Sequence, residues 1–169
     1  MPHRHPFILR RLAVVVALLA SAAGAQAKGV VEVNFIELDK FTDIGLSAYD
    51  RERASREIGA YLKGLGRQLP DGQTVTIDVL DVDLAGTPAP GKTESRSMRG
   101  TLDYPKVHLR WTLAQNGKTL QSGEDQVEDS KYAETKVRRR PGEAYPIEQH
   151  MLGRWFNLRF GGAKAAHAQ

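Results

Sequence analysis

The stretch TVTIDVLDVDL, residues 74–84, gives the strongest strand signal in the chain. Its apolar residues first alternate with polar ones, as in a strand with one buried face. After residue 79 the alternation shifts by one position, so that the apolar set comprises Val75, Ile77, Val79, Leu80, Val82 and Leu84. A β-bulge near residues 79–80 would keep all six side chains on the inner face. We therefore predict a bulged strand with an apolar inner face.

The same bulge would collect the polar residues of this stretch on the outer face, namely Thr74, Thr76, Asp78, Asp81 and Asp83. Two interpretations of the acidic row stay open. Hard divalent cations bind several carboxylate oxygens, which makes Asp78, Asp81 and Asp83 candidate metal ligands. If the strand that carries His108 and Arg110 pairs with this one, the aspartates would instead form cross-strand ion pairs.

Two other segments have helical periodicity. Ser47, with Asp50 three residues later, is a variant of the capping box and indicates where the first helix begins. The apolar face of this helix recurs at steps of three and four residues, at Ala54, Ile58, Leu62, Leu65 and Leu69. Pro146 suits the first position of a second helix. We expect that helix to bury Ile147, Met151, Trp155 and Leu158.

Three more strands are predicted, one before the first helix and two after the bulged strand. Alternation marks the early strand at residues 31–35 and the next at residues 107–113. Asn116-Gly117 then predicts a tight hairpin, because both turn positions require positive φ. The returning arm, residues 118–127, is polar and fits a sheet edge.

The element order is therefore β-α-β-β-β-α. Two amphipathic helices can cover one face of a mainly antiparallel four-stranded sheet, which is an α+β two-layer sandwich. A second acidic group, Glu124, Asp125, Glu128 and Asp129, falls on the edge strand and the following loop, where solvation explains it. Trp111 and Trp155 are at core positions and are assigned to packing.

Residues 1–27 have the pattern of a secretory signal peptide. Three arginines precede the nine-residue apolar run LAVVVALLA, and Ala25-Gln26-Ala27 forms a small-x-small cleavage site. A membrane-spanning anchor needs about 20 apolar residues. Extending the run through SAAGA gives 14. We expect cleavage after Ala27, export to the periplasm or the extracellular space, and no transmembrane span afterwards. The mature chain is then one domain, residues 28–160, with a flexible tail at 161–169.

Charge and composition exclude several classes of function. The 24 basic and 20 acidic residues give +4, but cleavage removes three arginines and no acid, so the mature chain carries +1. Nucleic acid is therefore not the expected partner. The absence of cysteine excludes disulfides, thiolate metal sites and a cysteine nucleophile. No G-x-S-x-G, H-E-x-x-H or phosphate-loop motif is present, so we expect neither an enzyme nor a cofactor.

Five short motifs together resemble an exported bacterial family known as domain of unknown function 3016. They are FTDIG at 41–45, DVDLAG at 81–86, DYPKV at 103–107, SGE at 122–124 and MLGRWF at 151–156. Their order and spacing cover roughly residues 30–160. The resemblance implies Gram-negative export and one small domain. It implies no activity, cofactor or functional residue.

These observations favour an exported, non-enzymatic, monomeric domain that binds an envelope protein through a sheet face or edge. One alternative is a divalent-cation-binding protein or cation-dependent enzyme that uses the row Asp78, Asp81 and Asp83. Another is attachment to an anionic surface through the basic run Arg138, Arg139 and Arg140.

Overall fold

A computed structural model describes residues 28–88, 96–98, 102–135, 137 and 143–161. Its strands are β1 (Val30–Phe35), β2 (Gln73–Asp83), β3 (Thr87–Pro88), β4 (Arg96–Ser97), β5 (Lys106–Gln115) and β6 (Lys118–Glu128). Its helices are α1 (Ala48–Gly64) and α2 (Pro146–Phe160), with short 3₁₀ turns at 38–40 and 65–68. The predicted signal peptide, residues 162–169 of the predicted tail and the run Arg138–Arg140 lie outside the described residues.

The main sheet has the strand order β1-β2-β5-β6, and β3 with β4 forms a separate two-stranded ribbon. β2 pairs antiparallel with β5, and β5 pairs antiparallel with β6. β1 pairs parallel with β2, because α1 carries the chain back to the same end of the sheet between them. The α+β class is confirmed, and the sheet is mixed, with one parallel pairing.

The bulge in β2 lies where the change of alternation places it. Val79 pairs with Leu109 and Asp81 pairs with His108, which leaves Leu80 as the extra residue. The prediction that all six apolar residues point inward is wrong for Leu80, which is half-buried, whereas the other five are buried. Val79 and Val82 already take the inward positions on either side of the bulge, so no inward position remains for Leu80.

Both helices pack on one face of the sheet, as predicted. The capping box at Ser47 and Asp50 is formed, and the five predicted apolar residues are buried, but α1 ends at Gly64, so that Leu65 lies in the following 3₁₀ turn and Leu69 comes after it. The prediction for Leu158 is wrong, because its side chain is 84% exposed. At about 100° per residue Leu158 stands about 200° around α2 from Phe156, which is fully buried. The buried face of α2 comprises Ile147, Met151, Leu152, Trp155, Phe156 and Phe160.

The β5–β6 hairpin forms at Asn116-Gly117, where φ is 50° and 80°. β6 lies at the edge of the sheet, as predicted. A second irregularity shifts its register: Ala114 pairs with Thr119 but Leu113 pairs with Gln121, so Leu120 is an extra residue. From that point on, Gly123, Asp125 and Val127 lie opposite the inward residues of β5, which are Trp111, Leu109 and Val107.

Candidate functional site

The outer face of the sheet carries the acidic row of β2. Asp78 accepts hydrogen bonds from Asn34 Nδ2 and from Arg110 Nη2, each at 2.9 Å. The amide of Asn34 and then the guanidinium of Arg110 hold the pKa of the Asp78 carboxyl below its ordinary value, because both stabilise the charged form. The ion pair expected between the Asp strand and the Arg110 strand is therefore present.

The other two aspartates of the row have separate partners. Asp81 accepts hydrogen bonds from the backbone N–H and the hydroxyl of Thr42, at 2.6 and 2.7 Å. Asp83 pairs with Lys106 Nζ at 3.4 Å. Within the described ranges, no group of three or more His, Cys, Asp or Glu side chains is arranged to hold a metal ion. The side chains of Asp78, Asp81 and Asp83 thus contact β1, β5 and the loop that contains Thr42.

A cleft of about 300 Å³ lies beyond the carboxyl end of β2, near the first turns of both helices. Here the FTDIG and DVDLAG segments meet, and their backbones form a parallel β-bridge between Asp43 and Asp83. Arg96 pairs with the Asp43 carboxylate at 2.5 Å. Its guanidinium also donates to the carbonyl oxygens of Ala85 and Gly86, at 2.8 and 2.6 Å.

The remaining buried polar groups of this cleft also have partners. Glu148 is 4% exposed and accepts a hydrogen bond from the Ala85 N–H at 2.9 Å. Burial raises the pKa of the Tyr145 hydroxyl, since the low-dielectric wall disfavours the phenolate. Arg96 and Asp43 pair with each other, and Arg96 and Glu148 bind the backbone that follows β2. These contacts connect the end of β2 to the start of α2.

The inner face of β6 contains a carboxylate that sequence reasoning misplaced. Asp125 Oδ2 accepts hydrogen bonds from the indole N–H groups of Trp111 and Trp155, at 2.8 and 2.9 Å. Its Oδ1 pairs with Arg159 at 2.5 Å. The assignment of Asp125 to a solvated acidic group is therefore wrong, because this carboxylate connects β5, β6 and α2. Packing roles for both tryptophans are confirmed, since they are 2% and 9% exposed.

The other members of that acidic group are distributed around β6. Glu124 lies on the outer face, 2.7 Å from His108 Nε2. Glu128 is exposed at the end of the strand. Asp129 is 8% exposed, and its carboxylate is 3.9 Å from Arg154 Nη1. Of these four acidic residues, only Glu124 and Glu128 are therefore exposed side chains on β6.

A groove of about 460 Å³ runs between β6 and α2. Its walls are Gln126, Val127, Glu128, Met151, Arg154, Trp155, Leu158 and Arg159. Leu158 is the most exposed of the large apolar side chains in the described part of the chain. β6 pairs with β5 alone among the described strands, so its other edge is free. That edge borders the groove at residues 126–128. A groove that combines an exposed leucine, Leu158, with charged side chains beside an unpaired strand is a surface suited to binding an extended polypeptide.

The family model described as "Protein of unknown function (DUF3016)" matches residues 29–158. The chain belongs to this family. The DUF3016 match spans the whole four-stranded sheet and α2 as far as Leu158, so it includes every residue that lines the groove except Arg159. No curated protein and no solved structure is significantly similar to the chain. Among the helices that the structure describes in this DUF3016 protein, none has the length and apolar character to cross a membrane.

Proposed function

We propose that the protein is an exported, non-enzymatic, monomeric binding domain that takes an extended segment of a partner polypeptide onto the free edge of β6. The observation that supports this most directly is the combination of an 11-residue edge strand with the adjoining groove between β6 and α2. Added strands gain affinity from main-chain hydrogen bonds and specificity from pockets for alternate side chains. This edge offers both.

The length of β6 is sufficient for a stable pairing. Eleven residues at about 3.3 Å each span about 36 Å. On the inner face of an added strand, side chains near residues 126–128 of β6 would enter the groove and meet Leu158, Arg154 and Arg159. On the outer face they would extend the polar surface of the sheet. Long exposed edges otherwise promote aggregation, so a dedicated occupant also accounts for how this edge is protected.

Hydrogen bonds connect the two walls of the groove. The Asp125 side chain on β6 accepts from the indole of Trp155 on α2 and from that of Trp111 on β5. Arg159 on the last turn of α2 adds a charged contact to the same carboxylate. α2 is therefore held at a fixed distance from β6, so an incoming strand meets a site that is already formed, which lowers the entropy cost of binding.

Leu158→Glu is expected to weaken partner binding tenfold or more. The change removes about 2 kcal/mol of apolar burial and places a charge in the groove. The partner is captured from the native envelope by a photo-crosslinking amino acid at position 126, and the cross-linked segment is identified by mass spectrometry. Because Leu158 is 84% exposed, folding is unaffected by the change.

The matched control is Leu102→Glu, since Leu102 is 83% exposed and lies outside the groove. It introduces the same charge and should leave cross-linking unchanged. Equal cross-linking by the two variants would contradict strand addition at β6. A cross-linked partner segment that is folded as a helix in the complex would contradict it as well.

Export is supported by residues 1–27, with their arginines, apolar run and Ala-Gln-Ala site. We expect the chain recovered from the periplasmic or extracellular fraction to begin at Lys28, measured by intact mass. Ala25→Arg together with Ala27→Arg should block cleavage. Recovery of the full-length chain, Met1 included, from the cytoplasmic fraction would contradict export.

A further inference from the structure

We infer that the segment received by β6 alternates apolar and basic residues. This inference rests on the proposed function and adds the chemistry of the partner. It follows from what β6 presents on each face and from the strand that β6 already pairs with.

The outer face of β6 is acidic. Glu124 and Glu128 are both exposed there, with the exposed Gln126 between them. Their cross-strand neighbours on β5 are Arg110 for Glu124 and Lys106 for Glu128. Cross-strand opposite charges are favourable, whereas like charges directly opposite are destabilising.

The inner face of β6 accepts apolar neighbours. Val127 lies opposite Val107 and Gly123 lies opposite Trp111. The neighbour on one side of β6 therefore alternates basic and apolar residues over Lys106, Val107, His108, Leu109, Arg110 and Trp111. A strand added on the other side meets the same β6 side chains, and on its inner face it also meets the groove wall formed by Leu158, Arg154 and Arg159. The pattern that satisfies β6 on the β5 side thus satisfies it on the free side.

Charge also distinguishes this partner from a second copy of the chain. β6 contains the acids Glu124, Asp125 and Glu128 and a single base, Lys118. Pairing β6 with β6 would bring two such acidic strands together. A basic, alternating segment instead places positive charge beside Glu128 and beside Glu124, which already contacts His108 on its β5 side.

The test uses the mature protein, residues 28–169, and four fluorescein-labelled ten-residue peptides measured by fluorescence anisotropy at physiological salt. The first alternates Lys or Arg with Val or Leu. The second replaces every base by Glu, and the third replaces every base by Thr. The fourth has the composition of the first with its apolar residues grouped in one block. We expect the first peptide to bind at least tenfold more tightly than the second and the fourth.

Variants assign the preference to β6. Glu124→Gln with Glu128→Gln should reduce the advantage of the basic peptide over the Thr peptide at least threefold. Glu52→Gln with Glu134→Gln makes the same charge change at exposed positions away from β6 and should not reduce it. Leu158→Glu should weaken both the basic and the Thr peptide.

The outcomes separate the two proposals. If the Glu and Thr peptides bind as tightly as the basic one and Leu158→Glu weakens all three, the basic preference is overturned and strand addition stands. If no alternating peptide binds, or Leu158→Glu weakens none of them, strand addition itself is overturned. A dimer in sedimentation that Leu158→Glu dissociates would make a second copy the occupant and overturn the basic segment.

Discussion

Replacing Asp125 by alanine is expected to lower the free energy of unfolding by about 3 kcal/mol. The change leaves the indole N–H groups of Trp111 and Trp155 without their acceptor, and those rings are 2% and 9% exposed. A buried donor left unpaired costs about 1–3 kcal/mol. The Arg159 guanidinium loses its partner too, although its exposure limits that contribution. Urea denaturation of the mature protein measures the difference.

Two further variants of β6 make this result interpretable. Asp125→Asn keeps an oxygen acceptor for the indoles and should cost less than the alanine change. Glu124→Ala removes a neighbouring carboxylate that is 52% exposed on the outer face, and its effect should stay within about 0.5 kcal/mol. If Asp125→Ala and Glu124→Ala had equal effects, Asp125 would not be the connection between α2 and the edge strand.

Gly123→Val is expected to destabilise the protein by about 2–3 kcal/mol. A Cβ atom at position 123 would lie 2.8 Å from Cζ2 and 3.1 Å from Cε2 of Trp111. The indole cannot move away cheaply, because it is buried and hydrogen-bonded to Asp125. Forcing extra atoms into a packed site costs about 1–3 kcal/mol, and here it also breaks a hydrogen bond. Thermal unfolding followed by circular dichroism gives the change.

The control for this variant is Ser122→Val. The residue is adjacent in β6 and exposed, so valine is tolerated there and has the better strand propensity. A second check combines Gly123→Val with Trp111→Leu, which removes the ring that causes the clash. The cost of Gly123→Val should shrink in that background, and an undiminished cost would attribute it to the β6 backbone instead.

Local patterns predicted much of this fold. The change of alternation after Val79 located the first bulge, Asn116-Gly117 located the hairpin, and Ser47 located the start of α1. Each signal is short-range, because the residues that produce it are within a few positions of the structure they specify. The cross-strand pairing with Arg110, one of the two interpretations of the acidic row, is present at Asp78, because the apolar alternation of both strands places these two residues on the same outer face.

The position of Asp125 could not be predicted in the same way. Counting from the Asn116-Gly117 turn without interruption would place Glu124, not Asp125, opposite the inward Leu109. The extra residue Leu120 moves the register by one and turns Asp125 inward. The early part of β6 is polar and exposed on both faces, so no apolar alternation marks this second bulge. The sequence alone therefore grouped Asp125 with solvated carboxylates.

The groove was missed for a related reason. Leu158 continues the spacing of Met151 and Trp155, so periodicity alone assigns it to the core. The end of α2 is instead buried through Phe156 and Phe160, whose rings pack 4.9 Å apart beneath Trp111 and Trp155. The exposure of Leu158 follows from how α2 is rotated over the sheet, which depends on contacts between residues distant in sequence.

The shared carboxylate of Asp125 also makes the protein its own optical probe. The chain has two tryptophans, and both indoles donate to this single carboxylate, which also contacts the groove residue Arg159. Indole emission responds to polarity and hydrogen bonding around the ring, so the tryptophan fluorescence of the whole molecule originates at one place. Filling the groove, loosening α2 or detaching β6 would each change the same emission band, and the edge strand can be monitored without attaching a dye.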